Sequence, residues 1–298
     1  MNIKLGVIGL SSGNGHPYSW SAILNGYNPA AMELCGFPVI PRYLEKEQWP
    51  ESRLPGAEVV SVWTQSIDLS HRIAEAALIP KVVQNLEDMI GDIDAVLLAR
   101  DDAENHIKFA APFLQAGLPV YIDKPIALSV CQMESIYEME KYSGQIFTCS
   151  ALRYSDELRI TPDDCANIGA ICQIVAFTPK SWDKYGVHII EPVLNMLPDS
   201  DEPRNFTRIE AEPDRGRGLS VMWRSGIQSV FFATGEGASP LSIRVIGTKG
   251  FKDLYFSDSF SAFRNALRIF VSSVHERTVP STKIFNRKVV EILERGRE

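Results

Sequence analysis

The chain has 298 residues, enough for one large domain or two ordinary ones, and its 45% hydrophobic and 22% charged residues predict a soluble globular fold. No apolar run approaches the roughly 20 residues that cross a bilayer, and a net charge of −7 leaves no electrostatic footprint for nucleic acid. Five scattered cysteines with no Cys-x-x-Cys predict a reduced, cytoplasmic protein, and five histidines with no His-x-His or His-Glu-x-x-His predict no metal site.

Residues 3–8 read as a buried strand, residues 9–17 as a glycine-rich loop and residues 19–25 as a short helix. That order suits a dinucleotide: glycines admit the pyrophosphate to the backbone, and the helix N-terminus favours its charge. The loop nevertheless breaks Gly-x-Gly-x-x-Gly. With Gly9 in first place, Ser11 stands second and Asn14 third, so Ser11, Ser12, Gly13 and Asn14 become the phosphate candidates. The same residues spell Gly-x-Ser-x-Gly around Ser11, which keeps a serine hydrolase open as an alternative, though on an unusual first strand. The stretch 28–55 is proline-rich and unassigned. Residues 57–62 form the next strand, ending in Thr64-Gln65-Ser66 without the acid that usually holds an NAD ribose. This leans the cofactor expectation slightly towards NADP. Helices follow over 69–77 and, shorter, 85–90.

Residues 94–99, 106–117 and 120–122 then give strand, helix, glycine turn and strand, a βαβ crossover. The last strand runs into Asp123-Lys124-Pro125, which places a lysine beyond the carboxyl end of a strand, where open α/β sheets bind ligands. A helix over 129–142 and a strand over 145–150 complete this half. In the second half, strand-like runs (170–177, 219–223, 228–233, 241–246) outnumber helices (184–197, 259–277 and one from 285), which predicts a largely antiparallel sheet.

Asp94-Ala95-Val96-Leu97-Leu98-Ala99, the helix opened by His106, and Ala116-Gly117 running on to Asp123-Lys124-Pro125 together resemble the Gfo/Idh/MocA family of nicotinamide-dependent sugar and cyclitol oxidoreductases. Arg153-Tyr154, Lys184-Tyr185-Gly186-Val187-His188-Ile189-Ile190-Glu191 and Gly247-Thr248-Lys249-Gly250 extend the resemblance across the chain. It implies a Rossmann-type α/β domain over 1–150 and an α+β domain with an open, mainly antiparallel sheet over 151–298. It also implies hydride transfer between NAD(P) and a secondary hydroxyl or ketone of a sugar, cyclitol or sugar nucleotide. Lys124 and His188 would be catalytic, acting on one substrate oxygen. Lys184, Arg153, Glu191 and Asn195 would bind substrate. Gly9, Ser11, Ser12, Gly13, Asn14, Thr64, Ala99, Arg100, Asp102, Asp123 and Lys124 would line the cofactor. A homo-oligomer is implied, with Val221, Trp223, Val230 and Phe232 as candidates for the sheet face that pairs.

Three departures keep a second reading open, a non-catalytic or regulatory sugar-binding descendant: the broken glycine loop, the missing ribose acid, and Lys184 where the family has Asp. After Ala99, Arg100-Asp101-Asp102 also replaces the family's Thr-Pro.

Overall fold

In the computed structural model, which describes residues 2–209 and 216–297, the chain forms two compact units, neither continuous in sequence. The first takes residues up to Ala127, Cys131–Cys149 and Phe263–Lys283; the second takes Leu128–Val130, Ser150–Ala262 and the residues from Ile284 on. In chain order the first unit holds β1 (Ile3–Ile8), α1 (His16–Asn25), α2 (Pro29–Glu33), α3 (Val39–Leu44), β2 (Ala57–Trp63), α4 (Ile67–Ala76), β3 (Lys81–Val82), β4 (Ala95–Leu98), α5 (His106–Gln115), β5 (Val120–Ile122), most of α6 (Val130–Tyr137) and β6 (Ile146–Thr148). The unassigned stretch 28–55 thus supplies two short helices.

The first sheet has the order β3-β2-β1-β4-β5-β6, with every neighbouring pair parallel. Its central strands are apolar on both faces: Leu5, Val7, Ile8 and all of β4 are fully buried. That composition belongs to a parallel sheet covered on both sides, and each such aliphatic side chain contributes about 1.5–3 kcal/mol. The strand order reverses between β1 and β4, so the loops leaving those two strands border the switch point at which such sheets bind ligands.

The second unit holds α7 (Pro162–Ile168), β7 (Ile171–Thr178), α8 (Trp182–Tyr185), α9 (Val187–Leu194), β8 (Pro203–Ile209), β9 (Arg217–Trp223), β10 (Gln228–Ala233), β11 (Ser242–Gly247) and β12 (Phe251–Tyr255). Of the two closing helices, α10 (Ser259–Glu276) belongs to the first unit from Phe263 on, and α11 (Lys283–Arg297) to the second from Ile284 on. The second sheet runs β12-β11-β7-β10-β9-β8 and is antiparallel except where β7 and β10 pair parallel. One face buries Ile174, Ala176, Val221, Trp223, Phe231 and Val245 in a core shared with Ile189, Ile190 and Val193 of α9. The other face shows Val175, Phe177, Met222, Val230 and Phe232, all at least partly exposed.

Two expectations change here. Val221 and Trp223 lie in the core, not on the face of Val230 and Phe232, because the antiparallel register sets Val221 opposite buried Ser229 and Val230 opposite Ser220. The single helix over 184–197 is two short helices meeting at Gly186. A Cβ there would lie 2.8 Å from the Trp182 carbonyl oxygen and 3.1 Å from Leu293, so the backbone of α8 presses closest on this position and Leu293 of α11 would have to give slightly. The strand β8 and the helix α7 carry too little periodicity to be foreseen, whereas β12 is the strand expected after the Gly247–Gly250 turn.

Candidate active site

In the first unit, the loops after β1, β4 and β5 bring most of the expected residues together through three aspartates. Asp123, beyond β5, is 1% exposed. Its Oδ2 accepts from Asn14 Nδ2 at 2.7 Å and contacts His16 Nδ1 at 2.5 Å, and its Oδ1 accepts the Lys124 amide at 2.7 Å. Burial pushes this carboxyl upward. The charges of His16 and Lys124 and the hydrogen bonds from His16 and Asn14 overcome that and hold it far below the usual carboxylate range. An ionised Asp123 requires His16 Nδ1 to be the donor. Asp101 Oδ1 accepts from the Ser11 hydroxyl at 2.6 Å, and Ser11 Oγ accepts the Asp101 amide at 3.0 Å. Arg100, 8% exposed, grips Asp102 with two bonds of 2.9 and 2.6 Å and reaches Leu10 O and Gln65 Oε1. Arg100 thus neutralises Asp102 within the corner that replaces Thr-Pro, while Asp101 faces Ser11 and, at 3.8 Å, Lys124.

Lys124 is 7% exposed, and among the described residues the carboxylate oxygen within 4 Å of its Nζ is Asp101 Oδ2, at 3.8 Å. That is beyond hydrogen-bond range. An ammonium carries three donors and no acceptor, so this buried group is equipped for acceptors that the described protein atoms do not supply. Ala99 is fully buried and donates its amide to Ile8 O.

The loop fits a dinucleotide in part. Gly13 has φ +80 with open space where a Cβ would stand, and Gly15 is buried. Neither glycine's amide donates to any described residue, which leaves donors of the kind a pyrophosphate takes. A Cβ on Gly9 would meet Pro17 at 2.3 Å, so this glycine serves close packing of loop on helix. Two amides a standard loop offers are missing, since the His16 amide goes to Asn14 Oδ1 and Pro17 has none. Ser12 and Gly13 are exposed and Ser11 is not. Thr64 is 4% exposed, its hydroxyl engaged by Ser66 O and Ser70 Oγ. The hydroxyl behind the NADP expectation is thus consumed between β2 and α4. Ser11 pairs with a carboxylate and not with an imidazole, the base a serine nucleophile needs, and the hydrolase reading loses its geometry.

In the second unit the expected residues gather at Ser150. Its Oγ lies 2.8 Å from His188 Nδ1 and accepts the Leu152 amide, while its own amide donates to Glu191 Oε1 at 2.8 Å. Glu191 is 3% exposed, and its Oε2 accepts no hydrogen bond from the described residues. Burial pushes its carboxyl up to about 8, against the lowering effect of the Arg153 charge and the Ser150 amide. Arg153 stacks its guanidinium 3.7 Å over the Phe285 ring, and Asn195 donates to the Arg153 carbonyl at 3.1 Å. Lys184 is exposed. Of the stripe expected along one helix, then, His188 and Glu191 meet at Ser150, Asn195 serves a backbone carbonyl, and Lys184 faces solvent.

Four residues of these clusters were not foreseen: His16, Asp101, Ser150 and Gln65. Only His16 carried a readable signal, an Asn-Gly-His-Pro run at a helix start.

The family described as an oxidoreductase family with an NAD-binding Rossmann fold, Gfo/Idh/MocA, matches residues 35–150. No curated protein matches the chain in sequence. Several solved structures share the fold. Myo-inositol 2-dehydrogenase from Lactobacillus plantarum is 14% identical with a TM-score of 0.74, over 99% of this chain and 96% of that one. Myo-inositol dehydrogenase from Lactobacillus casei, solved with NAD(H) and myo-inositol, is 16% identical with a TM-score of 0.71, over 99% and 93%. UDP-N-acetylglucosamine 3-dehydrogenase from Acidithiobacillus ferrooxidans is 13% identical with a TM-score of 0.71, over 100% and 97%.

Proposed function

We infer the reaction from one premise: over residues 35–150 the chain belongs to the Gfo/Idh/MocA oxidoreductase family, with its NAD-binding Rossmann fold. The protein is then an NAD-dependent oxidoreductase acting on a CH–OH group of a sugar, cyclitol or sugar nucleotide. NAD supplies the hydride acceptor, and the protein binds, orients and moves the proton. The observation that carries this reading is Lys124, a buried ammonium beyond β5 with no hydrogen-bond acceptor among the described residues. Such a group suits a ribose hydroxyl and the reacting substrate oxygen. His188 is the acid/base, since imidazole titrates near neutrality and Ser150 fixes its Nδ1. Ser150 Oγ can accept from or donate to that nitrogen, so the bond survives both protonation states.

Ser12, Gly13 and the Gly15 amide would hold the pyrophosphate, and Asp123 the position of Lys124. Thr64 is turned inward, which leaves Ser66, the nearby Arg72 and the missing ribose acid behind a 2′-phosphate preference, and the NAD-binding description of the family supports reading the cofactor as NAD(H). Val175, Phe177, Val230 and Phe232 form the face through which copies of the chain would associate.

Titration of the purified protein with NADH and NADPH, followed by tryptophan-to-nicotinamide energy transfer and melting shift, tests this. A saturating NADH signal that Lys124→Ala weakens is expected, and a ligand at 100 times its Kd should stabilise by about 2.7 kcal/mol. No response to either cofactor at millimolar concentration leaves the sugar-binding descendant as the better reading.

A further inference from the structure

Lys180, two residues beyond β7, has φ +64, a left-handed conformation that favours glycine over any residue with a Cβ. Its backbone is held there by a single bridge to Gly235, with Lys180 N to Gly235 O at 3.2 Å and Gly235 N to Lys180 O at 3.0 Å. Its Nζ lies 2.7 Å from the Tyr185 hydroxyl and 4.7 Å from the centroid of the same ring. An unfavourable backbone at a functional cluster is a reason to ask what the side chain does.

The direction of this hydrogen bond follows from chemistry. An ammonium only donates, so Tyr185 Oη is the acceptor, and its own proton points to another partner. No described residue accepts that proton. Tyr185 ends α8 and His188 lies in the first turn of α9, three residues on across the Gly186 junction. The two rings meet edge to face, with centroids 5.5 Å apart and an interplanar angle of 62°. Both side chains are half-buried. A hydroxyl with an undelivered proton therefore stands beside an imidazole fixed from behind by Ser150.

We propose that Tyr185 is a further catalytic residue, donating a hydrogen bond to the reacting oxygen of the substrate beside His188, and that Lys180 is the positioning residue that aims this donor. The assignment rests on the oxidoreductase reading above. It adds no bond-making step, because the transferred proton stays with His188.

The test uses the full chain with NAD⁺ and three probes: myo-inositol, scyllo-inositol and UDP-N-acetylglucosamine. Tyr185→Phe should lower kcat about 10²-fold, the effect of losing one preorganised donor at a reacting oxygen, with the Kd for NADH and the melting temperature unchanged. Lys180→Gly relieves the left-handed backbone, so it should raise the melting temperature by about 2–4 °C while kcat falls. Lys180→Arg should recover kcat relative to Lys180→Gly, because a cationic donor returns. Opposite signs in stability and turnover do not arise from general damage. A Tyr185→Phe enzyme with unchanged kcat, or with KM raised at constant kcat, overturns the assignment while leaving the oxidoreductase reading intact if His188→Ala is inactive. A wild-type protein that binds no NADH, or binds it and turns over none of the three probes, overturns that reading and this assignment together.

Discussion

Glu191 shows how one buried carboxyl sets a pH dependence. Its carboxyl titrates near 8 in the fold, against about 4.3 in an unfolded chain. The folded state therefore holds a proton that the unfolded state has released between those values. Stability from this group is fully present below the unfolded pKa and is lost as pH rises through the folded one. Each unit of such a shift corresponds to about 1.4 kcal/mol, so the effect is large even when discounted. Glu191→Gln keeps an acceptor for the Ser150 amide and removes the titration. The melting temperature of the variant should fall less than that of wild type between pH 5 and pH 8, and parallel curves would sink this account. Asp123 behaves oppositely, an ionised group held by His16 and Asn14. Asp123→Asn leaves one carbonyl oxygen where two took the His16, Asn14 and Lys124 donors, so at least one buried donor is stranded. This should cost about 1–3 kcal/mol, read from urea unfolding, with weaker NADH binding because Lys124 follows Asp123 directly. For turnover, His188→Ala should cost roughly 10²- to 10⁴-fold without changing the Kd for NADH.

Among the elements, α11 depends most visibly on one contact. Trp182 of α8 donates its indole N–H to Leu293 O at 2.8 Å, and Gly296 lies flat against its ring. A Cβ on Gly296 would fall 2.2 Å from Trp182 Cζ2. Gly→Ala inside a helix ordinarily gains about 1 kcal/mol, but forcing a methyl into a packed ring costs about 1–3 kcal/mol. The second effect should win, and Gly296→Ala should lower the urea midpoint. A raised midpoint would mean that α11 slides away from Trp182 without cost. The same logic explains Gly186, where Trp182 and Leu293 leave no space for a Cβ.

At the scale of the molecule, the uncovered face of the second sheet carries the association prediction. Phe177, Phe251 and Tyr255 are 37%, 62% and 56% exposed, and Val230 and Phe232 are partly exposed between their neighbours. Val175 pairs with Val230 and Phe177 with Phe232 across adjacent strands, and exposed apolar surface of this kind marks an interaction site. Light scattering at micromolar concentration should return at least a dimer, and Phe232→Glu should shift it to the monomer. A wild-type monomer would leave this face without a role.

Local chemistry made some features readable in the chain itself. The apolar runs of β1, β4 and β5, the glycine turn at Gly117 and the terminal Asp123-Lys124-Pro125 depend on near neighbours in sequence, so they announced a parallel sheet and a lysine beyond its strand. The mixed second sheet was legible as strands but not as an order, because pairing β7 with β10 joins residues more than fifty positions apart. Which carboxylate meets which cation was decided only by tertiary structure. Ser11 finds Asp101 and His16 finds Asp123 across about a hundred residues, and no periodicity encodes such a contact. Thr64 looked like a cofactor ligand because its type and place were right. The fold turned its hydroxyl inward, where Ser70 satisfied it first.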